Sequence, residues 1–127
     1  MQRIFLAWGS LLAMLSVAIG AFGAHMLKTI IDADALKVYE TGVQYQMMHA
    51  LGLVLIALLI GQWGESSRLR WAGILLISGI VLFSGSLYVL SISGIKVLGA
   101  ITPLCGGCFL AGWLCVVLEA VSRKEGK

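Results

Sequence analysis

The sequence predicts an all-α integral membrane protein, a bundle of four transmembrane helices running up and down with a short amphipathic segment between helices 1 and 2. Three observations predict it. Residues 4–27, 41–64, 71–95 and 97–118 carry no charged side chain at all. Even the shortest of these windows, 22 residues, spans about 33 Å as a helix, enough for a hydrocarbon core of roughly 30 Å. The chain is 60% hydrophobic and 12% charged, whereas soluble domains carry about 25% charge and under half apolar residues. The connections between windows are short, which makes sequential helices antiparallel neighbours. This composition excludes a soluble enzyme, a disordered chain and a secreted disulfide scaffold. We read residues 1–127 as a single membrane domain with spans at about 4–27, 41–63, 71–92 and 97–118 and a short tail at 119–127.

Span one follows Arg3. Ala21-Phe22-Gly23 superficially resembles a signal-peptide cleavage site, but the uncharged run of 24 residues is longer than a usual signal h-region. It also carries Gly9, Ala13, Ser16, Gly20 and Gly23 at steps of four and three, a seam for close helix packing in a bilayer. Retention as a transmembrane helix is therefore expected. In the next stretch, Asp32 or Asp34 is placed to cap a helix, with Ile31, Leu36 and Tyr39 inward and Lys37 and Glu40 outward. Either a short interfacial helix or an N-terminal extension of span two fits. The extension puts Glu40 and Gln44 on one face.

In span two, His49 shares a face with Gly42, Tyr45 and Gly52, so it is expected to point into the bundle. Span three places Ser84, Tyr88 and Ser91 on one face. Span four contains the only proline, Pro103, flanked by Gly99, Gly106 and Gly107, which suggests a bent or widened first turn. Cys105, Cys108, Gly112 and Cys115 form a stripe. Cys105 and Cys108 have C-x-x-C spacing, yet they lie inside an apolar window where desolvation disfavours the thiolate, so they read as packing residues.

Charge sets the expected topology. Arg3, Arg68, Arg70, Arg123, Lys124 and Lys127 fall on one side, and Lys28, Lys37 and Lys96 on the other. Lys/Arg bias marks the cytoplasmic face, which puts both termini on the cytoplasmic side. Trp8, Trp63, Trp71 and Trp113 lie toward that face, and Tyr39, Tyr45 and Tyr88 toward the other. The net charge of +3 comes without a basic cluster interleaved with aromatics, so no nucleic-acid partner is expected.

Alternation of the spans then gathers His25, Glu40, Gln44, Tyr45, Gln46, His49, Ser84, Ser86, Tyr88 and Thr102 in the outer half of the bundle. Polar and ionisable groups inside spans point to function by default, although the same groups also serve as interhelical hydrogen bonds. No nucleophile with a paired base, no pair of carboxylates within a span and no phosphate-binding loop is visible. No metal or cofactor is expected.

Gly20-Ala21-Phe22-Gly23-Ala24-His25, the run 41–49 (Thr-Gly-Val-Gln-Tyr-Gln-Met-Met-His), Phe83-Ser84-Gly85-Ser86-Leu87-Tyr88, Thr102-Pro103 and Ala111-Gly112-Trp113 together resemble the domain of unknown function 423 family, the YgdD/YwdK-type small inner-membrane proteins. The resemblance runs from about residue 4 to 118 and implies a multi-pass bacterial inner-membrane protein without an established activity. The family pattern after Thr-Pro is Thr-Pro-x-Gly-Gly, whereas Cys105 stands at the first glycine here. A chemistry shared by the family is therefore not expected to rest on the cysteines.

The leading expectation is a non-enzymatic accessory or small-ligand-binding protein with His25, Glu40, Gln44, Tyr45, His49, Ser84, Tyr88 and Thr102 as candidate site residues. Two alternatives are a haem or redox protein with His25 and His49 as axial ligands, and a compact dimeric transporter. Against the latter, no carboxylate lies at mid-membrane. The lipid bilayer, a second copy or another membrane protein are the expected partners.

Overall fold

The structure is a computed structural model and describes residues 1–123. Helix α1 covers Gln2–His25, α2 Ala33–Trp63, α3 Ser67–Ser93 and α4 Val97–Ser122. All four are long and apolar enough to cross a membrane, and successive helices pack against each other. Lys124 and Lys127, counted above with the tail, lie outside the described residues.

The connections follow local chemistry. A 3₁₀ turn, Leu27–Thr29, leaves α1. Asp32 then caps α2 by accepting from the Ala35 N–H at 2.7 Å, which satisfies one of the four free donors of a helix start. Of the two arrangements open for the amphipathic stretch, the chain adopts the extension of α2: Tyr39 is buried, and Lys37 and Glu40 are exposed. Gly64 (φ 86°) ends α2 and Gly94 (φ 73°) ends α3, positive φ values that glycine adopts without Cβ strain. Ser66 caps α3 through the Leu69 N–H. Helix α4 runs through Pro103 without a break; the widened turn lies instead in α3, where Ile80–Ser84 form a π-helical segment.

The burial pattern is that of a membrane bundle. Leu104, Leu110 and Val121 are exposed, while Ser16, Gln46, His49, Ser84, Ser91, Thr102 and Glu119 are buried. In hydrocarbon, exposed apolar side chains cost nothing and helices associate through close contact and polar pairing. The core runs through Phe5, Leu12, Leu53, Ile56, Leu69, Leu76, Ile80 and Phe109, and α2 is the most buried helix.

Aromatic rings seated on glycines lock the helices together. Phe5 of α1 lies on Gly73 of α3, Tyr39 of α2 on Gly23 of α1, and Phe109 of α4 on Gly79 of α3. Tyr88 of α3 covers Gly42 of α2, and Trp113 of α4 covers Gly52 of α2. A Cβ would stand 2.7 Å from Tyr88 at Gly42 and 2.9 Å from Trp113 at Gly52. The seam predicted on α1 faces α2: Gly9, Ser16 and Gly23 are buried, and Ala13 and Gly20 half-buried.

One end of the bundle, holding Met1 and the 64–66 turn, is closed by charge. The Met1 ammonium meets Glu65 at 3.3 Å and Arg70 pairs with the same carboxylate. The hydrogen-bonded Arg70 guanidinium, followed by the ammonium, holds the Glu65 carboxyl below its ordinary pKa. Glu119, placed by sequence just beyond span four, is buried within α4 and pairs with Arg123 at 3.2 Å and Arg68 at 3.9 Å. A buried carboxylate persists there because it is paired.

Candidate functional site

The polar side chains inside the bundle form a chain of interhelical hydrogen bonds. Gln46 of α2 is its hub: Nε2 donates to the Leu12 carbonyl of α1 at 2.9 Å, and Oε1 accepts from the Tyr88 hydroxyl of α3 at 2.6 Å. Ser84 donates to the Gly42 carbonyl at 2.8 Å. Ser86 and Thr102 share a hydrogen bond of 2.8 Å between α3 and α4, and Thr102 donates to the Leu98 carbonyl. Tyr39 donates to the Ile19 carbonyl at 2.6 Å. Each bond joins two helices or closes a turn, and no fully buried side-chain N or O among the described residues lacks a partner. The π-helical segment of α3 ends on Ser84, so the insertion sits where α3 meets this chain, as such insertions often do at functional positions.

His49 differs from the rest. It is 3% exposed, and its Nδ1 lies 2.8 Å from the Tyr45 carbonyl. A carbonyl only accepts, so Nδ1 carries the proton and Nε2 is left with a lone pair. Nε2 makes no hydrogen bond among the described residues. Since every fully buried polar side-chain atom there is paired, Nε2 reaches an open surface. His49 lines a cavity of about 420 Å³ between α2, α3 and α4, together with Tyr45, Phe83, Phe109, Trp113 and Pro103 among others. The volume falls within the range of small-molecule sites.

Aromatic contacts hold the imidazole in place. Phe109 stacks on it with centroids 3.6 Å apart and planes at 13°. Tyr45 lies parallel at 5.9 Å and Trp113 tilted at 5.9 Å. Phe83 packs against both Tyr45 (4.7 Å) and Phe109 (5.4 Å). Phe109 sits at the centre of α4, so His49 is near the middle of the bundle. The cavity opens sideways, past exposed Met48 and Leu110.

The structure divides the residues that sequence reasoning had grouped. Ser84, Tyr88 and Thr102 join the hydrogen-bond chain, and Tyr45 with His49 lines the cavity. Glu40 and Gln44 lie on the exposed side of α2, where with Lys37, Thr41 and Gly20 they line a separate groove against α1. His25 is exposed, the last residue of α1. Because Gly23 faces Tyr39, His49 lies at least about 15 Å deeper along the axis than His25, too far for one iron to join them. Among the described residues, no three His, Cys, Asp or Glu side chains converge as a metal site. Sequence reasoning missed Phe83 and Phe109. The helical spacing of Phe109 from Cys105 and Gly112, on the stripe already noted, was the available signal.

The profile of the family described as Protein of unknown function (DUF423) matches residues 19–107. The chain is 48% identical over 120 residues to the UPF0382 membrane protein YwdK of Bacillus subtilis, covering 94% of this chain and 98% of that protein. It is 46% identical over 118 residues to a UPF0382 membrane protein of Staphylococcus haemolyticus, covering 93% and 95%. A UPF0382 membrane protein of Staphylococcus epidermidis is 45% identical over 120 residues, covering 94% and 97%. No solved structure matches the chain. With four apolar helices, an inverted burial pattern and relatives matched nearly end to end, the chain belongs to the family described as Protein of unknown function (DUF423) and is a multi-pass membrane protein.

Proposed function

We propose that this protein is a non-enzymatic membrane protein that binds a small lipid-soluble ligand in the cavity at His49. The observation that carries the reading is the uncommitted Nε2 of a nearly buried histidine at the wall of an aromatic cavity. An acceptor that faces an apolar surrounding without a partner is costly, and a ligand that donates a hydrogen bond removes that cost. The flat rings of Tyr45, Phe83, Phe109 and Trp113 favour an apolar or aromatic body. The cavity lining holds no nucleophile with a base beside it, which favours binding over chemistry.

Trp113 lines the cavity, so its fluorescence reports occupancy once Trp8, Trp63 and Trp71 are replaced by phenylalanine. 4-Bromophenol is lipid-soluble, donates an O–H and carries a bromine that quenches indole. We expect saturable quenching by 4-bromophenol and not by 4-bromoanisole, which lacks the donor. His49→Phe keeps a stacked ring and removes Nε2, and is expected to weaken the saturable component about tenfold, one hydrogen bond's worth. Linear quenching, identical in both proteins and for both probes, would refute the reading.

We place the protein in the bacterial inner membrane with both termini cytoplasmic. Arg3, Arg68, Arg70 and Arg123 stand at one end of the bundle, and Lys28, Lys37 and Lys96 at the other, which supports this orientation through the Lys/Arg bias. A C-terminal green fluorescent protein fusion is expected to fluoresce. A dark green fluorescent fusion together with an active alkaline phosphatase fusion at the same position would reverse the assignment.

A further inference from the structure

Two adjoining cavities, which share Gly20, Val43 and Gln44, make up a groove on the α1–α2 surface. Its upper part, about 550 Å³, is polar and is lined by Lys37, Glu40, Thr41 and Gln44. The lower part, about 690 Å³, runs along Val17, Ala21, Met47 and Met48. The uncharged stretch of α2 begins at Thr41, immediately after Glu40, so the change from polar to apolar falls where a bilayer changes from headgroup to hydrocarbon. Lys37 and Glu40 are exposed, one helical turn apart, and neither forms an ion pair among the described residues.

We propose that this groove binds a phospholipid whose head carries both a phosphate and a primary ammonium, as in phosphatidylethanolamine, with one acyl chain along Val17, Val43 and Met47. The Lys37 ammonium meets the phosphate, while the Glu40 carboxylate and the Gln44 side-chain oxygen, four residues apart on one face, accept N–H bonds from the ammonium. The alternatives fit less well. A phosphatidylglycerol head satisfies Lys37 and is repelled by Glu40. A phosphatidylcholine head balances the charge but has no N–H to donate. Tyr45 and Met48 border both this groove and the His49 cavity, but the headgroup contacts at Lys37, Glu40 and Gln44 do not depend on the His49 reading.

The experiment is native mass spectrometry of delipidated full-length protein given equimolar phosphatidylethanolamine, phosphatidylglycerol and phosphatidylcholine with matched acyl chains. Exposed charge pairs contribute little each, so the expected preference for phosphatidylethanolamine is about two- to fivefold. Glu40→Lys, at an exposed position that does not endanger the fold, is expected to turn the preference to phosphatidylglycerol. Lys37→Gln is expected to lower binding of both phosphatidylethanolamine and phosphatidylglycerol. Equal binding of the three lipids by the unaltered protein, or an unchanged preference in Glu40→Lys, overturns the proposal.

Discussion

Gly9→Leu is expected to destabilise the bundle by about 3 kcal/mol, the upper end of what overpacking costs. A Cβ at Gly9 would lie 2.8 Å from the Val54 side chain, 2.9 Å from the Ala50 carbonyl oxygen and 3.0 Å from the Val54 backbone nitrogen. Two of these three neighbours are backbone of α2, and backbone inside a helix moves only with the helix. Leucine would force α1 and α2 apart along a seam whose attraction comes from close approach. Helix α1 is the least buried of the four and packs mainly on α2. The measurement is unfolding by sodium dodecyl sulfate in mixed micelles, followed by circular dichroism. Gly107→Leu is the control, because a Cβ at Gly107 meets nothing and leaving glycine behind favours the helix by about 1 kcal/mol. If both variants unfold at the same detergent fraction, the α1–α2 contact does not have the tightness described.

Phe109→Ala is expected to cost about 2 kcal/mol in the same titration. Phe109 is 4% exposed, rests on Gly79 of α3 and stacks on His49 of α2 at 3.6 Å, so one ring joins three helices. In a soluble core, Phe→Ala costs about 3–5 kcal/mol. Part of that is transfer of the ring from water, a contribution that a bilayer largely removes because lipid is as apolar as the core. What remains is lost dispersion and the cavity. The neighbouring Leu110→Ala, at a position 75% exposed, is expected to change stability by under about 0.5 kcal/mol. Equal effects at 109 and 110 would mean that α4 is rotated from the orientation described.

Those two variants also mark how far the sequence could be read. The four helices were legible because charge is excluded over windows of bilayer length. The Asp32 cap and the inward face of Gly9, Ser16 and Gly23 were legible because each rests on local chemistry or helical spacing. The inward direction of His49 followed from the glycines sharing its face. The rotation of α4 was much less legible. In water a helix declares its buried face by contrast with a polar one, but in lipid both faces are apolar and the contrast fades. The stripe at Cys105, Cys108 and Gly112 was visible, yet nothing in it revealed that Phe109 would meet His49. The exposure of His25 escaped for a related reason: alternation of spans assigns a residue to an end of the bundle, not to its inside or outside. Glu119 ended the fourth window because a lone charge reads as a boundary. In the structure Arg68 and Arg123 pair with it, and the helix continues to Ser122. Pairing across 51 residues of sequence, from Arg68 to Glu119, leaves no local trace.

The sideways opening of the His49 cavity changes what concentration means for this protein. A cavity that opens between helices near the middle of the bundle, past Met48 and Leu110, faces the hydrocarbon, and its contents exchange with the membrane in two dimensions. Occupancy by the ligand proposed above would then follow its mole fraction among lipids rather than its molarity in water. At a fixed total amount of a strongly partitioning solute, adding lipid dilutes it and empties the cavity, whereas adding buffer leaves it filled. Under the binding proposed above, the quantity of membrane around the protein is thus itself a variable that sets how full the cavity is.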